Sequence, residues 1–240
     1  MLFRSNDTAT TEIYTRFYTL SLQTLFRSIR ARFENYLAPE VLKKVLKSPE
    51  NIATCQRKKL TILFSDIAGF TAWSSDQKPE IIHRTLNLYF EEMAKIVFAH
   101  GGTIDKYMGD GLLVFFGDPV EYQDHVLRAV KAAVAMQKKS AQLREAWKAE
   151  DGMPLAIRIG INTGEVVVGN MGSEKRLEYT VIGAEVNLAQ RLESNAPVTG
   201  ILVSEAVRKE VGDTFQVADA GKIKAKGFRD EIKVYTIEIP

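Results

Sequence analysis

Two aspartates occupy positions at which the chain could hold divalent cations. Asp66 follows an apolar run at 60–64 whose composition predicts a strand covered on both faces. Asp110 lies in a glycine-rich turn that predicts a hairpin. If these strands are neighbours in one sheet, the two carboxylates converge at its end, an arrangement that suits hard cations holding a nucleoside triphosphate. Because aspartate in such a turn more often serves only the turn, neither residue alone decides the point.

Backbone amides and a helical pair offer further polar groups. Gly69 and Thr71 lie at the start of a predicted helical segment, so free amides there could face a phosphate. The chain contains no GxxxxGK[ST] motif, which excludes a Walker A loop. Asn187 and Arg191 are four residues apart on another predicted helix and so point from one face. A capping or solvated pair is the alternative interpretation of these two residues.

The order of strands and helices predicts the fold class. Helices are predicted from Pro79 to the Gly101-Gly102 pair, over about 121–147 and over 183–193. Strands are predicted at 60–64, 103–107, 112–116, 155–161, 166–168 and 176–182, with a turn at 162–164 and short elements in the tail. This β-α-β-β-α-β order with additions predicts an α+β ferredoxin-like sandwich, with helices on one face of a mainly antiparallel sheet.

The beginning of the chain predicts a separate helical arm. From Tyr18 to Ile29 apolar residues recur at spacings of four, three and four, as in a helix that pairs with another helix. Pro39 interrupts this helix and opens a shorter one. We assign the arm to residues 1–50, a linker to 51–58 and one catalytic domain to 59–240. An ordinary N-terminal helix lying on the core is the alternative.

Composition excludes several classes of protein. The 240 residues are 45% hydrophobic, enough for one real core. Thirty-two basic residues balance thirty acidic ones, which does not favour a nucleic-acid partner. The lone cysteine, Cys55, points to a reducing compartment, and no run of eighteen apolar residues predicts a membrane span. We therefore expect a cytoplasmic chain, which could still be the cytosolic part of a longer, membrane-bound parent.

Three stretches resemble the signature blocks of class III adenylyl and guanylyl cyclases. They read FSDIAGFT at 64–71, DKYMGDG at 105–111 and YTVIGAEVNLAQRL at 179–192. The resemblance covers about residues 58–238, and three blocks in the right order are far more specific than any one of them. Upstream, FENYLAPEV at 33–41 resembles, more weakly, the transducing element before many bacterial cyclase domains. That likeness implies an upstream sensor.

The resemblance implies a two-metal site. Asp66 and Asp110 would hold two Mg²⁺ or Mn²⁺ ions, with Ile67 beside them. The metal and phosphates would also lie against Gly69, Phe70 and Thr71. The implied reaction is attack of the ribose 3′ oxygen on the α-phosphorus with loss of pyrophosphate. The general base stays open among Asp66, water and a substrate phosphate.

The resemblance also implies contacts to the rest of the nucleotide. Lys106 and Thr180 match the positions that read the base, and together they are similar to the bacterial ATP-using subtype, whereas guanylyl cyclases carry Glu and Cys there. A lysine donor suits adenine N1, and a donor facing guanine N1–H would cost about 1–3 kcal/mol. Asn187 would orient the ribose and Arg191 would stabilise charge on the α-phosphate. Lys226 would reach the terminal phosphates.

In this family two copies share each site, so the resemblance implies a homodimer that makes cyclic AMP from ATP. One chain would supply the metal aspartates and its partner the base-reading residues. A guanylate cyclase and a nucleotide-binding regulatory domain without turnover remain alternatives. A diguanylate cyclase is disfavoured because the turn at 108–112 is not a GG[DE]EF-type sequence.

Overall fold

A computed structural model describes residues 55–147, 155–173, 176–224, 227–228 and 230–240. The predicted arm at 1–50, the first half of the predicted linker and Lys226 lie outside these ranges. The strands are β1 (Gln56–Ile67), β2 (Gly102–Met108), β3 (Gly111–Phe116), β4 (Ile157–Ser173), β5 (Arg176–Ile182), β6 (Ile201–Ser204), β7 (Val217–Ile223) and β8 (Ile232–Ile237). The α-helices are α1 (Phe70–Ser75), α2 (Pro79–Ala99), α3 (His125–Trp147), α4 (Ala184–Asn195) and α5 (Glu205–Val211), and a 3₁₀ turn spans Gly212–Thr214.

The strands form one sheet in the order β2-β3-β1-β4-β6-β8-β7, and β5 pairs with β4 outside this path. Among these neighbours only β4 and β6 run parallel, and the other pairs are antiparallel. The split β-α-β core, with β3 inserted next to β1, is the ferredoxin-like arrangement. The predicted α+β fold with a mainly antiparallel sheet is confirmed.

The helices lie on both faces of the sheet, which differs from the predicted single layer. On one face α2 and α3 pack against apolar side chains that include Leu63 of β1. On the other face Ala189 of α4 packs with Ile62 and Phe115. Strand β1 therefore has its apolar side chains buried on both faces, which explains its nearly continuous apolar run.

Strand β1 is longer than predicted. It begins at Gln56, which is paired with Val168 of β4, so residues 56–58 of the predicted linker belong to the sheet. The exposed polar side chains at this end concealed the strand, because neither face shows an apolar pattern until Leu60.

The predicted turn at 162–164 is wrong, because β4 continues through it. The Asn162 amide donates to the backbone carbonyl of Glu185 at 3.0 Å and to its carboxylate at 2.7 Å. The Thr163 hydroxyl donates to the Leu60 carbonyl at 3.1 Å. These turn-forming residue types thus bind neighbouring elements from within a strand, and tertiary contacts override local propensity.

None of the helices in the described part of the chain is both long and apolar enough to span a membrane.

Candidate active site

The carboxylates of Asp66 and Asp110 meet at one end of the sheet. Asp66 is the penultimate residue of β1, and Asp110 lies in the tight turn to β3, which pairs with β1. Gly109 takes a left-handed φ of 67° in that turn, a conformation that glycine adopts without strain. The Asp110 carboxyl group is hydrogen-bonded to that of Asp66 and accepts from the Ile67 N–H. The predicted convergence of the two aspartates is therefore observed.

This pair has the chemistry of a divalent-cation site. Burial, and after it the charge of Asp66, raise the pKa of Asp110 to about 6. Two carboxyl groups that share a hydrogen bond at such a pKa can exchange the shared proton for a cation. Magnesium is commonly held by one or two carboxylates together with substrate phosphates. The pair of Asp66 and Asp110 matches this mode of magnesium binding. The described residues contain no group of three or more His, Cys, Asp or Glu that could hold a metal ion.

Ile67 could contribute only backbone to such a site. Its side chain is 1% exposed and belongs to the core beneath α2 and α3. Its backbone carbonyl oxygen is the one atom that could bind a cation, because an amide N–H only donates.

Two charged residues that the sequence analysis did not select complete this cluster. Nη2 of Arg158, the cross-strand neighbour of Asp66 in β4, lies 2.8 Å from Asp66 Oδ2. Nε of Arg158 lies 3.3 Å from the Glu193 carboxylate on α4. Burial raises the pKa of Glu193 to about 7, with the charge of Asp66 adding to the rise and Arg158 opposing it. One guanidinium therefore pairs with two carboxylates, those of Asp66 and Glu193.

The sequence did carry a signal for both residues. Arg158 interrupts a strand in which Ile157 and Ile159 are fully buried. Glu193 falls on the same helical stripe as Val186 and Ala189, which are buried. A charged residue at a core position needs a partner, so each could have been flagged as a candidate site residue.

The loop after Asp66 leads into α1, and Gly69 caps this helix with a left-handed φ of 75°. The amides of Phe70 and Thr71 are the first of α1 and so have no carbonyl one helical turn earlier. The Phe70 ring packs toward the core next to Trp73, while Thr71 is exposed. The predicted phosphate-facing amides are thus located beside the carboxylate pair in the chain.

Lys106 and Thr180 come together through a third residue, Asp105. The Thr180 hydroxyl donates to Asp105 Oδ2 at 2.7 Å. Lys106 Nζ lies 3.3 Å from Asp105 Oδ1 and 3.0 Å from the Glu178 carboxylate. Strands β2 and β5 therefore bring the two predicted base-reading residues to one place, although they are far apart in sequence.

Asn187 and Arg191 lie on α4, which packs tightly over β4. A Cβ at Gly160 of β4 would lie 2.0 Å from the Glu193 nitrogen and 2.5 Å from the Ala189 carbonyl oxygen, so only glycine permits this approach.

Asn187 is exposed, and Nε of Arg191 is buried without a hydrogen-bond partner. Lys106 and Thr180 contact residues of β2 and β5, namely Asp105 and Glu178. Asp66 contacts Asp110 and Arg158 instead, so the two groups share none of these partners.

Comparison with known proteins identifies the family. Residues 52–239 match the adenylate and guanylate cyclase catalytic domain. The chain is 32% identical over 208 residues to adenylate cyclase 1 of Rhizobium meliloti, covering 85% of this chain and 31% of that protein. The chain belongs to the adenylate and guanylate cyclase catalytic-domain family.

Solved structures agree with this assignment. The adenylyl cyclase CyaB from P. aeruginosa is 44% identical with a TM-score of 0.75, covering 77% of this chain and 96% of that one. The guanylyl cyclase Cya2 is 43% identical with a TM-score of 0.73, covering 76% and 92%. The chain spans only about a third of the length of the Rhizobium relative.

Proposed function

We propose that this chain is an adenylate cyclase domain, which converts ATP to 3′,5′-cyclic AMP and pyrophosphate. The observation that carries the proposal is the hydrogen-bonded pair of Asp66 and Asp110, placed at the end of the central strand within the family's fold. Similarity to proteins named adenylate cyclase supports it.

Each residue contributes a separate part of the chemistry. Asp66, Asp110 and the Ile67 carbonyl would hold two Mg²⁺ or Mn²⁺ ions, which supply activation of the ribose hydroxyl and neutralise triphosphate charge. Arg191 donates from its guanidinium to the α-phosphate as negative charge develops there, and its unpartnered Nε supports this role. Asn187 orients the ribose.

The remaining contacts bind the phosphates. The first amides of α1, from Gly69 to Thr71, donate to phosphate oxygens, and the helix dipole favours the negative charge. Lys226 is proposed to pair with the terminal phosphates and lies outside the described residues.

The choice of nucleotide rests on Lys106 and Thr180. Overall similarity does not decide it, because an adenylyl cyclase and a guanylyl cyclase are 44% and 43% identical to this chain. A lysine ammonium donates to adenine N1 but opposes the N1–H of guanine. We therefore propose ATP as the substrate and keep GTP as the alternative.

We further propose that the active form is a homodimer with shared sites. The metal aspartates and the base-reading pair have separate sets of contacts within one chain. Large apolar side chains at the end of β2 and on β5 are exposed and suit burial by a second copy: Tyr107, Met108, Leu177 and Ile182. An upstream sensor domain and a cytoplasmic location complete the proposal.

A nucleotide assay tests the activity. The purified protein is incubated with ATP or GTP, each with Mg²⁺ or Mn²⁺, and the products are separated by chromatography. Cyclic AMP should be the main product, and Asp110→Ala should lower turnover by at least about 100-fold. Asp124→Ala is the matched control, because Asp124 is an exposed aspartate paired with Arg128. Cyclic GMP as the main product would overturn the nucleotide assignment, and nucleotide binding without turnover would favour the regulatory alternative.

Mixing inactive variants tests the shared site. Asp110→Ala and Arg191→Ala are each expected to be inactive alone. A mixed dimer restores one complete site, so an equal mixture should regain about a quarter of the wild-type activity. Failure to recover, in a mixture shown to exchange subunits, would contradict shared sites. Specific activity should also fall on dilution to concentrations at which the protein is monomeric.

A further inference from the structure

The hydroxyl of Thr180 can either donate or accept a hydrogen bond, so its presence alone does not select a base. Adenine presents an amino donor at its position 6, whereas guanine presents a carbonyl acceptor there. Thr180 discriminates between adenine and guanine only if its hydroxyl donates its proton to another residue, because it can then only accept a hydrogen bond from the base. The contacts of the buried Asp105 side chain, which is 1% exposed, decide this question.

Asp105 can only accept from Thr180. Its Oδ2 receives both the Thr180 hydroxyl at 2.7 Å and the Val181 N–H at 3.1 Å. Its Oδ1 lies 3.3 Å from the ammonium of Lys106, a position that a carboxylic proton would not tolerate. With an ammonium at one oxygen and an amide donor at the other, the group is a carboxylate, and the shared proton belongs to Thr180.

We infer that Asp105 is a positioning residue that selects adenine, because it takes the Thr180 proton and leaves only hydroxyl lone pairs facing the base. This inference rests on the proposed function, in which Lys106 and Thr180 contact the base. The same carboxylate, together with Glu178, holds the Lys106 ammonium. Asp105 thus fixes a donor for adenine N1 and an acceptor for the adenine amino group, and guanine meets a mismatch at both positions.

The arrangement also explains why a buried carboxylate is present here. Burial raises the pKa of Asp105, while hydrogen bonds from Thr180 and Val181 and the charge of Lys106 lower it. The two residues that Asp105 orients, Lys106 and Thr180, therefore oppose the effect of burial on its pKa.

Substitution of Asp105 tests the inference through the ratio of kcat/KM for ATP to that for GTP. Asp105→Asn keeps the shape but adds an amide donor, which lets Thr180 accept instead of donate. The ratio should fall about tenfold or more, whereas a merely structural defect would lower both values together. Asp105→Ala should act in the same direction. Asp219→Asn is the matched control, since Asp219 also accepts from a backbone N–H, at 2.8 Å, and pairs with a lysine, at 3.0 Å, away from the site.

Two variants of Thr180 complete the test. Thr180→Ser should keep the ratio and Thr180→Val should lower it. In the Thr180→Val background, Asp105→Asn should change the ratio by no more than about twofold, because the hydroxyl that it controls is gone. An unchanged ratio in both Asp105 variants, or an effect of full size in that background, overturns the inference.

Each failure has a distinct reading. If the wild-type protein turns over neither nucleotide, the proposed function fails, and the same variants are then compared by binding of α,β-methylene analogues of ATP and GTP. Discrimination that depends on Asp105 in binding would support the inference, and equal discrimination would overturn it. If neither Asp105 variant shows a cooperative thermal transition, the carboxylate is required for folding rather than for substrate choice, and the inference is likewise wrong.

Discussion

Nη2 of Arg158 lies 2.8 Å from Oδ2 of Asp66, so one of the carboxylates proposed to bind metal forms an ion pair with a guanidinium. Both side chains are partly exposed, at 28% and 30%, and the buried Glu193 approaches the same guanidinium from α4. Arg158 thus neutralises charge at Asp66 and also competes with any other cation there.

Replacement of Arg158 by Met should strengthen metal binding and lower the thermal stability of the metal-free protein. Two unit positive charges about 6 Å apart, such as the guanidinium and a cation at Asp66, repel by roughly 3 kcal/mol at an effective dielectric constant of 20. Partial exposure of the arginine reduces this repulsion to about 1 kcal/mol. We expect about fivefold tighter binding of Mn²⁺ and a lower metal-free Tm. Both are measured by thermal shift over a range of MnCl₂ concentrations.

Arg128→Met is the control for this variant, because Arg128 pairs with an aspartate far from the site, at 2.7 Å. Weaker Mn²⁺ binding in Arg158→Met would show that Arg158 organises the site instead of competing for it.

Gly160→Ala should destabilise the domain by about 3 kcal/mol, because the new methyl group would overlap the backbone of α4. The expected fall in Tm is roughly 6–12 °C for a domain of this size. Gly221→Ala is the control: its Cβ meets no atom within 4 Å, and only its φ of 82° adds a cost of about 1 kcal/mol. Equal losses in the two variants would contradict the close approach of α4 to β4.

A change of substrate preference from ATP to GTP should require a substitution at Glu178 as well as at Lys106 and Thr180. In Lys106→Glu with Thr180→Cys, the new glutamate would face the carboxylates that now bind the lysine, those of Asp105 and Glu178. Like charges at such distances repel each other, so GTP turnover should be low. Addition of Glu178→Gln should raise it at least about fivefold, measured as cyclic GMP formed. Equal GTP turnover with and without Glu178→Gln would refute this repulsion.

Stability should depend on pH through His125. Burial lowers the pKa of His125, and Lys59 lowers it further, against opposing effects of Glu210 and Asp124. Because the unfolded chain takes up the proton first, His125 costs stability as the pH falls below its unfolded pKa of about 6.5. His125→Asn should therefore lose less Tm than the wild type between about pH 7.5 and about pH 5.5.

His83→Asn, at an exposed histidine of α2, serves as the control and should behave like the wild type. An identical pH response of the wild type and His125→Asn would show that another group controls this acid sensitivity.

Much of the fold could be predicted from local pattern. The run at 60–64, the helix beginning at Pro79 and the hairpin around Asp110 each show a periodicity that neighbouring residues alone determine. The turn predicted at 162–164 failed because Asn162 and Thr163 bind residues that are distant in the chain. The side of the sheet covered by α4 was also mispredicted, since alternation does not say which element covers which face.

The sequence by itself determined the residue types of the candidate site and located Asp66 at a strand end and Asp110 in a hairpin turn, because local apolar patterning marks where a strand stops and a turn begins. That β1 lies beside β3, so that the two aspartates meet, was decided by the tertiary structure. Only the tertiary structure decided that Arg158 pairs with Asp66 across 92 residues and that Asp105 takes the Thr180 hydroxyl across 75. Both contacts depend on strand register and on the choice of neighbouring strand, and those result from packing over the whole sheet rather than from any local pattern.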